Sequence, residues 1–194
     1  MIDHVAAARA AIETHGLLLL QDPIRPSLAT LVAGAVVKGS WWSHPAGKAI
    51  FATAESLDEA NDLTTAKLVD GKITFVHRRL WPALVAIGRE RAKWQLDRLP
   101  TPARELLARV DTDGTVQATG GPAKALEQRL LVASAQVHTD SGKHALELST
   151  WDVFATTHDV TPPWPTAIEA RALLEAALAK LPGPRNGLPW LGKH

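Results

Sequence analysis

The stretch LTTAKLVDGKITFVHR, residues 63–78, decides the fold class because it predicts a β-hairpin in a chain that otherwise reads as mostly helical. The dipeptide Asp70-Gly71 separates two runs of strand-forming residues, and Asp-Gly readily adopts the positive φ angles of a type I′ turn. A two-residue loop pairs Leu68 with Ile73 and collects the apolar side chains on one face of the ribbon. The stretch therefore predicts an α+β fold with a half-buried hairpin.

The segments on either side of this hairpin show the apolar spacing of helices. We predict a fold that is predominantly helical, with a helical N-terminal half, and a short buried strand or linking turn at Leu17–Leu20. Helices are predicted from Asp3 to Gly16, over 26–37, from about Pro45 to the acidic stretch 55–62, over 79–94, from Thr101 through Val110, from about Pro122 through Ala133, and over 165–181.

A second hairpin is predicted over residues 135–150, with its turn at Ser141-Gly142. That turn pairs Val137 with Leu146 on an apolar face and Gln136 with Glu147 on a polar face. The preceding residues 114–118 are predicted to be a short extended piece.

Four consecutive segments give the C-terminal half the order helix, short strand, helix, ribbon: ARELLARV (103–110), GTVQATG (114–120), PAKALEQRLLV (122–132) and AQVHTDSGKHALEL (135–148). In this order they resemble the C-terminal half of a winged-helix DNA-binding domain, with a shortened second helix. The resemblance implies that Val137, Leu146 and Leu148 close over Leu126 and Leu130. Separately, SWWSHPAGKAIF (40–51) and KLVDGKITFVHRRLWPAL (67–84) resemble segments of an uncharacterised group of bacterial proteins, a resemblance that implies no activity.

Pro100 and Pro102 suggest a boundary between two halves. We predict a helical subdomain with a Trp-rich loop and a hairpin over residues 1–99. A winged-helix-like unit is predicted over 100–160, followed by a C-terminal helix and tail over 161–194.

Composition limits the classes of protein that the chain can belong to. The 194 residues contain no cysteine, which excludes disulfides and thiolate metal sites and fits a reducing, cytoplasmic location. Leu17–Leu20, the longest apolar run near the start, is too short to span a bilayer, and no signal-peptide pattern is present. No metal-binding or nucleotide-binding motif is found, so neither a metal nor a cofactor is expected.

The net charge of +1 hides an uneven distribution, because residues 67–98 alone carry a net charge of +5. Such a basic segment attracts phosphate, and together with the winged-helix resemblance it predicts DNA binding in DNA maintenance, repair or regulation, with a homodimer as one possible state. The expected contacts from the C-terminal half are Lys124, Gln128, Arg129, Lys143 and His144. The expected contacts from the basic segment are Lys67, Lys72, Arg79, Arg89, Arg91 and Lys93.

Two alternatives stay open at this point. In the first, the protein is an enzyme acting on DNA or on a phosphorylated small molecule, with His44, His77 and Arg78 as general base and anion clamp. In the second, it is a protein-interaction module in which Trp41, Trp42 and Trp190 form an exposed docking patch.

Overall fold

A computed structural model describes residues 3–138 and 144–191, without the side chains of residues 137, 138, 144 and 145. Over this part the chain is α+β and predominantly helical, with two small three-stranded sheets. It divides into a first unit, Met1–Leu80 with Leu173–Leu188, and a second unit, Trp81–Ala172 with Pro189–His194. The division falls after Leu80. Leu99 is buried in the core of the second unit, and Pro100 caps the start of a helix there.

The first unit opens with four elements that the sequence largely anticipates: helix α1 (His4–His15), strand β1 (Leu17–Leu19), helix α2 (Leu28–Ala33) and helix α3 (Gly47–Asp58). Asp3 caps α1 and Gly16 ends it with a φ of 86°, as predicted. Helix α2 is shorter than the predicted segment 26–37, because Ser27 caps its start and Gly34 ends it in the left-handed conformation. Helix α3 continues into the acidic stretch that was expected to follow it.

The first sheet has the antiparallel order β1-β3-β2, with β2 at Leu63–Val69 and β3 at Lys72–His77. Asp70 and Gly71 form the predicted turn, with φ angles of 52° and 65°. The predicted register is wrong beyond the turn. A β-bulge between Lys67 and Val69 makes Lys67, not Leu68, the partner of Ile73. The bulge interrupts the strict alternation of a strand, and both Leu68 and Val69 are fully buried.

All three strands of this sheet contribute side chains to the core of the first unit. Strand β1, which the sequence left open as strand or turn, is a buried strand that pairs with β3. The core side chains come from α1, β1, α2, α3 and both hairpin strands: Ala8, Ile12, Leu18, Leu28, Leu57, Leu63 and Phe75.

The second unit begins with helix α4 (Trp81–Glu90) and the single turn α5 (Lys93–Leu96). The prediction of one helix over 79–94 is wrong, because Arg91 has a φ of 52° and interrupts the helical ladder. Pro82 lies in the first turn of α4, where proline is tolerated, and Leu84 and Ile87 are buried.

Five further elements follow in the predicted order of helix, strand, helix and ribbon: α6 (Thr101–Asp113), β4 (Thr115–Gln117), α7 (Gly120–Gln128), β5 (Ala133–His138) and β6 (His144–Ser149). The three strands form an antiparallel sheet of order β4-β6-β5. Here too the predicted register is off by one residue, since Gln136 pairs with Leu146 and Ala135 with Glu147. The predicted turn at Ser141-Gly142 lies outside the described residues.

The core of this region contains part of the predicted cluster. Leu126 and Leu148 are fully buried in one core, and Leu146 packs against it while partly exposed. Leu130 is buried but lies outside that core, and its carbonyl accepts a hydrogen bond from the Trp151 indole at 2.8 Å. The side chain of Val137 is not described.

Helices α8 (Trp151–Thr157) and α9 (Ala167–Ala179) follow the ribbon in the sequence. Two apolar side chains of α9, Ile168 and Leu173, are 79% and 48% exposed. The buried stripe is instead formed by Ala170, Leu174, Ala177 and Leu178. In the described part of the chain, no helix has the length and apolarity needed to cross a membrane.

Candidate nucleic-acid interface

A pocket of about 810 Å³ in the second unit brings together several residues that the sequence singled out for nucleic-acid contact. We call it the α5–α7 pocket, since it lies where the turn of α5 meets the C-terminal end of α7. Its charged, polar and aromatic lining consists of Lys93, Trp94, Asp97, Arg98, Gln128 and Arg129. Lys93, Gln128 and Arg129 belong to the predicted set, whereas Trp94 and Arg98 do not.

Two side chains fasten α5 to the end of α7 reciprocally. Gln95 is fully buried, and its amide nitrogen donates to the carbonyls of Ile87 and Arg129 at 3.2 and 3.0 Å. In return, the Arg129 guanidinium donates to the carbonyls of Gln95 and Asp97 at 2.9 and 2.5 Å. Arg129 therefore builds the wall of the pocket and is not available as a free phosphate contact. Sequence reasoning missed Gln95, because a single glutamine carries no pattern that distinguishes a buried clamp from a surface residue.

Cations outnumber carboxylates in the pocket. Lys93 is 86% exposed along its side chain and lies 3.7 Å from Asp97, a separation at which an exposed pair attracts weakly. Arg98 is exposed and has no ion pair among the described residues. Together with Arg129, these side chains leave an excess of positive charge around a single carboxylate.

An aromatic ring adds a stacking surface to this charge. Trp94 is half-buried, with the Trp190 ring at its edge and 6.0 Å between ring centroids. The indole N–H of Trp94 is buried and has no hydrogen-bond partner in the described part of the chain. A flat apolar ring beside cations suits a nucleotide, which offers a base to stack and a phosphate to pair.

Helix α7 presents one of its predicted contacts openly. Lys124 is exposed and Gln128 half-buried, on a helix whose opposite face buries Ala123 and Leu126. Glu127 is buried and accepts a hydrogen bond from the Ser134 hydroxyl at 2.9 Å, which ties α7 to β5. Lys143 lies outside the described residues, and only the backbone of His144 is described.

Two arginines of the basic segment are engaged inside the second unit. Arg89 pairs with Asp152 at 3.0 Å and lies over the Trp164 ring, 4.1 Å from its centroid. Arg91 pairs with Asp111 at 2.6 Å. Both line a separate polar pocket of about 510 Å³, in which aspartates balance their charge.

In the first unit, Lys72 and Arg79 are engaged in the same way. Lys72 pairs with Asp22 at 2.6 Å, and Arg79 donates to the carbonyls of Glu13 and Thr14 at the end of α1. Lys67 lies half-buried on β2, and Arg78 is exposed with its backbone N–H donating to the Asp62 carbonyl. The +5 charge of residues 67–98 is thus divided between two units and largely used in internal contacts.

The two candidate catalytic histidines make separate local hydrogen bonds. His44 accepts from the backbone N–H of Ala46 at 3.1 Å, and His77 accepts from that of Arg79 at 3.2 Å. The pocket beside His77, of about 100 Å³, is lined by residues of α1 and of β2 and its preceding turn, and His44 is not among them. The catalytic hypothesis stays a prediction for which this geometry supplies no shared site.

Among the described residues, the most buried ionic cluster lies in the first unit, and sequence reasoning did not find it. Arg25, whose side chain is 4% exposed, donates to Asp70 at 2.8 Å and to the carbonyls of Pro184 and Asn186 at 2.9 and 2.6 Å. Asp22 is equally buried and accepts from the backbone N–H groups of Ile24 and Arg25 and from Lys72.

Opposing effects set the acidity of Asp22. Burial opposes its ionisation, but the hydrogen bond from the Arg25 backbone, that from Lys72 and that from the Ile24 backbone together outweigh burial. The pKa of Asp22 is therefore below its ordinary value of 3.8.

The three tryptophans of the predicted docking patch do not share one environment. Trp41 and Trp42 stack on each other in the first unit, whereas Trp190 contacts Trp94 in the second. Of the three, Trp42 is exposed, at 64%, and the other two are half-buried.

Comparison of the chain with protein-family models, with curated proteins and with solved structures found no match in any of the three.

Proposed function

We propose that the protein binds nucleic acid, and that the second unit contacts duplex DNA through the α5–α7 pocket and the exposed side of α7. The observation that carries this proposal is that Lys93 and Gln128, two of the contacts expected from the sequence, line one pocket, with Arg129 as part of its wall. Trp94 and Arg98 add a stacking ring and an exposed cation to the same pocket.

A winged-helix arrangement of residues 101–150 belongs to this proposal. Its support is the element order α6-β4-α7-β5-β6 and the pairing of β4 with β6, which completes a small sheet beside α7. In such an arrangement Lys124 and Gln128 on α7 meet the duplex, and the ribbon approaches the backbone. A role in DNA maintenance or regulation, a cytoplasmic location and a homodimer stay predictions.

The test is duplex binding measured by fluorescence anisotropy at low salt. The double variant Lys93→Gln/Arg98→Gln removes two cations whose side chains are exposed to solvent. The fold should therefore survive the change. We expect affinity to fall about tenfold, which corresponds to about 0.7 kcal/mol at each of two exposed phosphate contacts.

Lys180→Gln serves as the matched control, because Lys180 is an exposed lysine of the first unit, outside the pocket. Its affinity for duplex should equal that of the wild type. Equal affinity of the double variant and the wild type would contradict the proposed interface, and absence of duplex binding by the wild type at low salt would contradict the function.

A further inference from the structure

The loop between α2 and α3 holds two stacked tryptophans, one of which is exposed to solvent. Trp41 and Trp42 stack with ring centroids 4.3 Å apart and an interplanar angle of 22°. Trp41 packs against the buried cluster of Ala29, Val37 and Ile50, while Trp42 stays 64% exposed. The Trp41 ring is therefore fixed against the core, and the Trp42 ring stacks on it with much of its surface exposed to solvent.

Backbone contacts hold this display in place. The backbone N–H of His44 donates to the carbonyl of Trp41 at 3.1 Å, and that of Gly47 donates to the carbonyl of His44 at 2.7 Å. A Cβ at Gly47 would lie 3.0 Å from the carbonyl oxygens of both tryptophans, so glycine permits the close approach of α3 beneath the pair. A displayed ring that is already ordered loses little conformational entropy when it binds a ligand.

Two lysines flank the aromatic pair in the sequence, and the surrounding segment contains no carboxylate. Residues 23–54 contain no Asp or Glu, and beyond the buried Arg25 their cations are Lys38 and Lys48. Both lysines are exposed without an ion pair among the described residues. The Gln21 side chain donates to the carbonyls of Val37 and Gly39, which fixes the backbone on both sides of Lys38.

Lys48 lies on the same face of α3 as Phe51, whose ring contacts Trp42. Phe51 follows Lys48 by three residues on α3, a spacing that places two side chains on one helix face. The Phe51 ring centroid lies 5.3 Å from that of Trp42. The first carboxylate on this face is Glu55, one helical turn beyond Phe51.

We infer that Trp42, stacked on Trp41 and flanked by Lys38 and Lys48, is a binding site for unpaired bases of a single-stranded nucleic acid. The exposed indole stacks on a base, and the two ammonium groups pair with neighbouring phosphates. A ring of this kind suits unpaired bases because their faces are free, whereas in a duplex each face is covered by the next base pair. The site lies in the first unit and is argued independently of the α5–α7 pocket.

The test compares a short oligothymidine with a duplex as ligands of the full chain, by fluorescence anisotropy. Trp42→Ala should weaken oligothymidine binding about tenfold, within the range measured for loss of one base-aromatic stack, and leave duplex binding unchanged. Trp42→Phe should restore most of the affinity, because a smaller ring still stacks. Lys38→Gln/Lys48→Gln should reduce the slope of log affinity against log salt by about 1.4, as expected for two contacts to single-strand phosphates.

Ile168→Ala is the matched control, since Ile168 is an apolar side chain at least as exposed as Trp42 but lies in the second unit. The inference is overturned if Trp42→Ala binds oligothymidine as tightly as the wild type, if it loses both ligands equally, or if the wild type binds no oligothymidine. The pocket variant Lys93→Gln/Arg98→Gln separates the two proposals. If this variant loses duplex binding but still binds oligothymidine, both sites are supported. Loss of oligothymidine binding in Trp42→Ala, with duplex binding unaffected by the pocket variant, supports the tryptophan site alone.

Discussion

Gly88 has no side-chain carbon, and this allows α4 and α8 of the second unit to pack closely. A Cβ built at this position would lie 2.0 Å from Cδ1 of Trp151, far inside van der Waals contact. Trp151 lies at the start of α8, and its indole is fixed by the Leu130 carbonyl and by the Phe154 ring at 5.4 Å. The ring therefore cannot move aside without breaking other contacts, and the position requires glycine for space and not for a positive φ.

Gly88→Ala should destabilise the protein by about 3 kcal/mol, because overpacking against a fixed aromatic ring displaces the backbone of one helix. Chemical denaturation followed by circular dichroism measures the change. Gly121→Ala is the control: a Cβ built at Gly121, in α7, would have nothing within 4 Å, and we expect a change within about 0.5 kcal/mol. A Gly88→Ala protein as stable as the control would show that α4 and α8 pack more loosely than these distances require.

At the scale of elements, the Arg25 cluster joins parts of the first unit that are far apart in sequence. Arg25 contacts the hairpin turn through Asp70 and the C-terminal segment through the carbonyls of Pro184 and Asn186. The backbone N–H of Asp70 donates to the Gly187 carbonyl at 2.7 Å, which joins the turn to the same segment directly. A buried charge of this kind contributes mainly by fixing one arrangement, and removal of one partner leaves another charge without compensation.

The cluster predicts a specific dependence of stability on pH. Because the folded-state pKa of Asp22 is lowered, its contribution is fully present above the ordinary value of 3.8 and is lost as the pH falls through the lowered value. Asp22→Asn should destabilise the protein by about 3 kcal/mol at neutral pH, and the difference from wild type should shrink below pH 3.8. Denaturant unfolding of both proteins across this pH range measures it. A difference that stays constant with pH would exclude an ionised Asp22 as the source.

At the scale of the whole molecule, charge is abundant but mostly balanced. The chain carries 21 basic and 20 acidic residues, and several arginines of its most basic segment hold aspartates or helix carbonyls in place. Long-range attraction to a polyanion is therefore weak, and binding depends on the few cations that remain exposed. In the second unit these include Lys93, Arg98 and Lys124.

This balance predicts a shallow salt dependence of duplex binding. About three phosphate contacts give a slope of log affinity against log salt of about −2.7, and Lys93→Gln/Arg98→Gln should reduce its magnitude by about 1.8. Anisotropy titrations over a salt series measure both slopes. A wild-type slope steeper than about −5 would mean that the internally paired arginines leave their aspartates to bind phosphate.

Helix caps and turns were predictable from the sequence wherever a single residue type favours one backbone conformation. The cap at Asp3, the stop at Gly16, the turn at Asp70-Gly71 and the order of elements over 101–150 are all confirmed. The cap, the stop and the turn each depend on contacts between residues close in the chain. Of the candidate site, sequence supplied Lys93, Gln128 and Arg129, but not that Arg129 serves as a wall.

Strand register and side-chain burial were decided by tertiary packing, because both depend on residues distant in sequence. The bulge near Leu68 and the one-residue shift of both hairpins follow from which side chains the cores bury, and a period-two pattern alone does not contain that information. The exposure of Trp42 and the burial of Arg25 likewise depend on segments remote in sequence. Residue type determined where the chain turns and caps, whereas the burial of each side chain was determined by what folded against it.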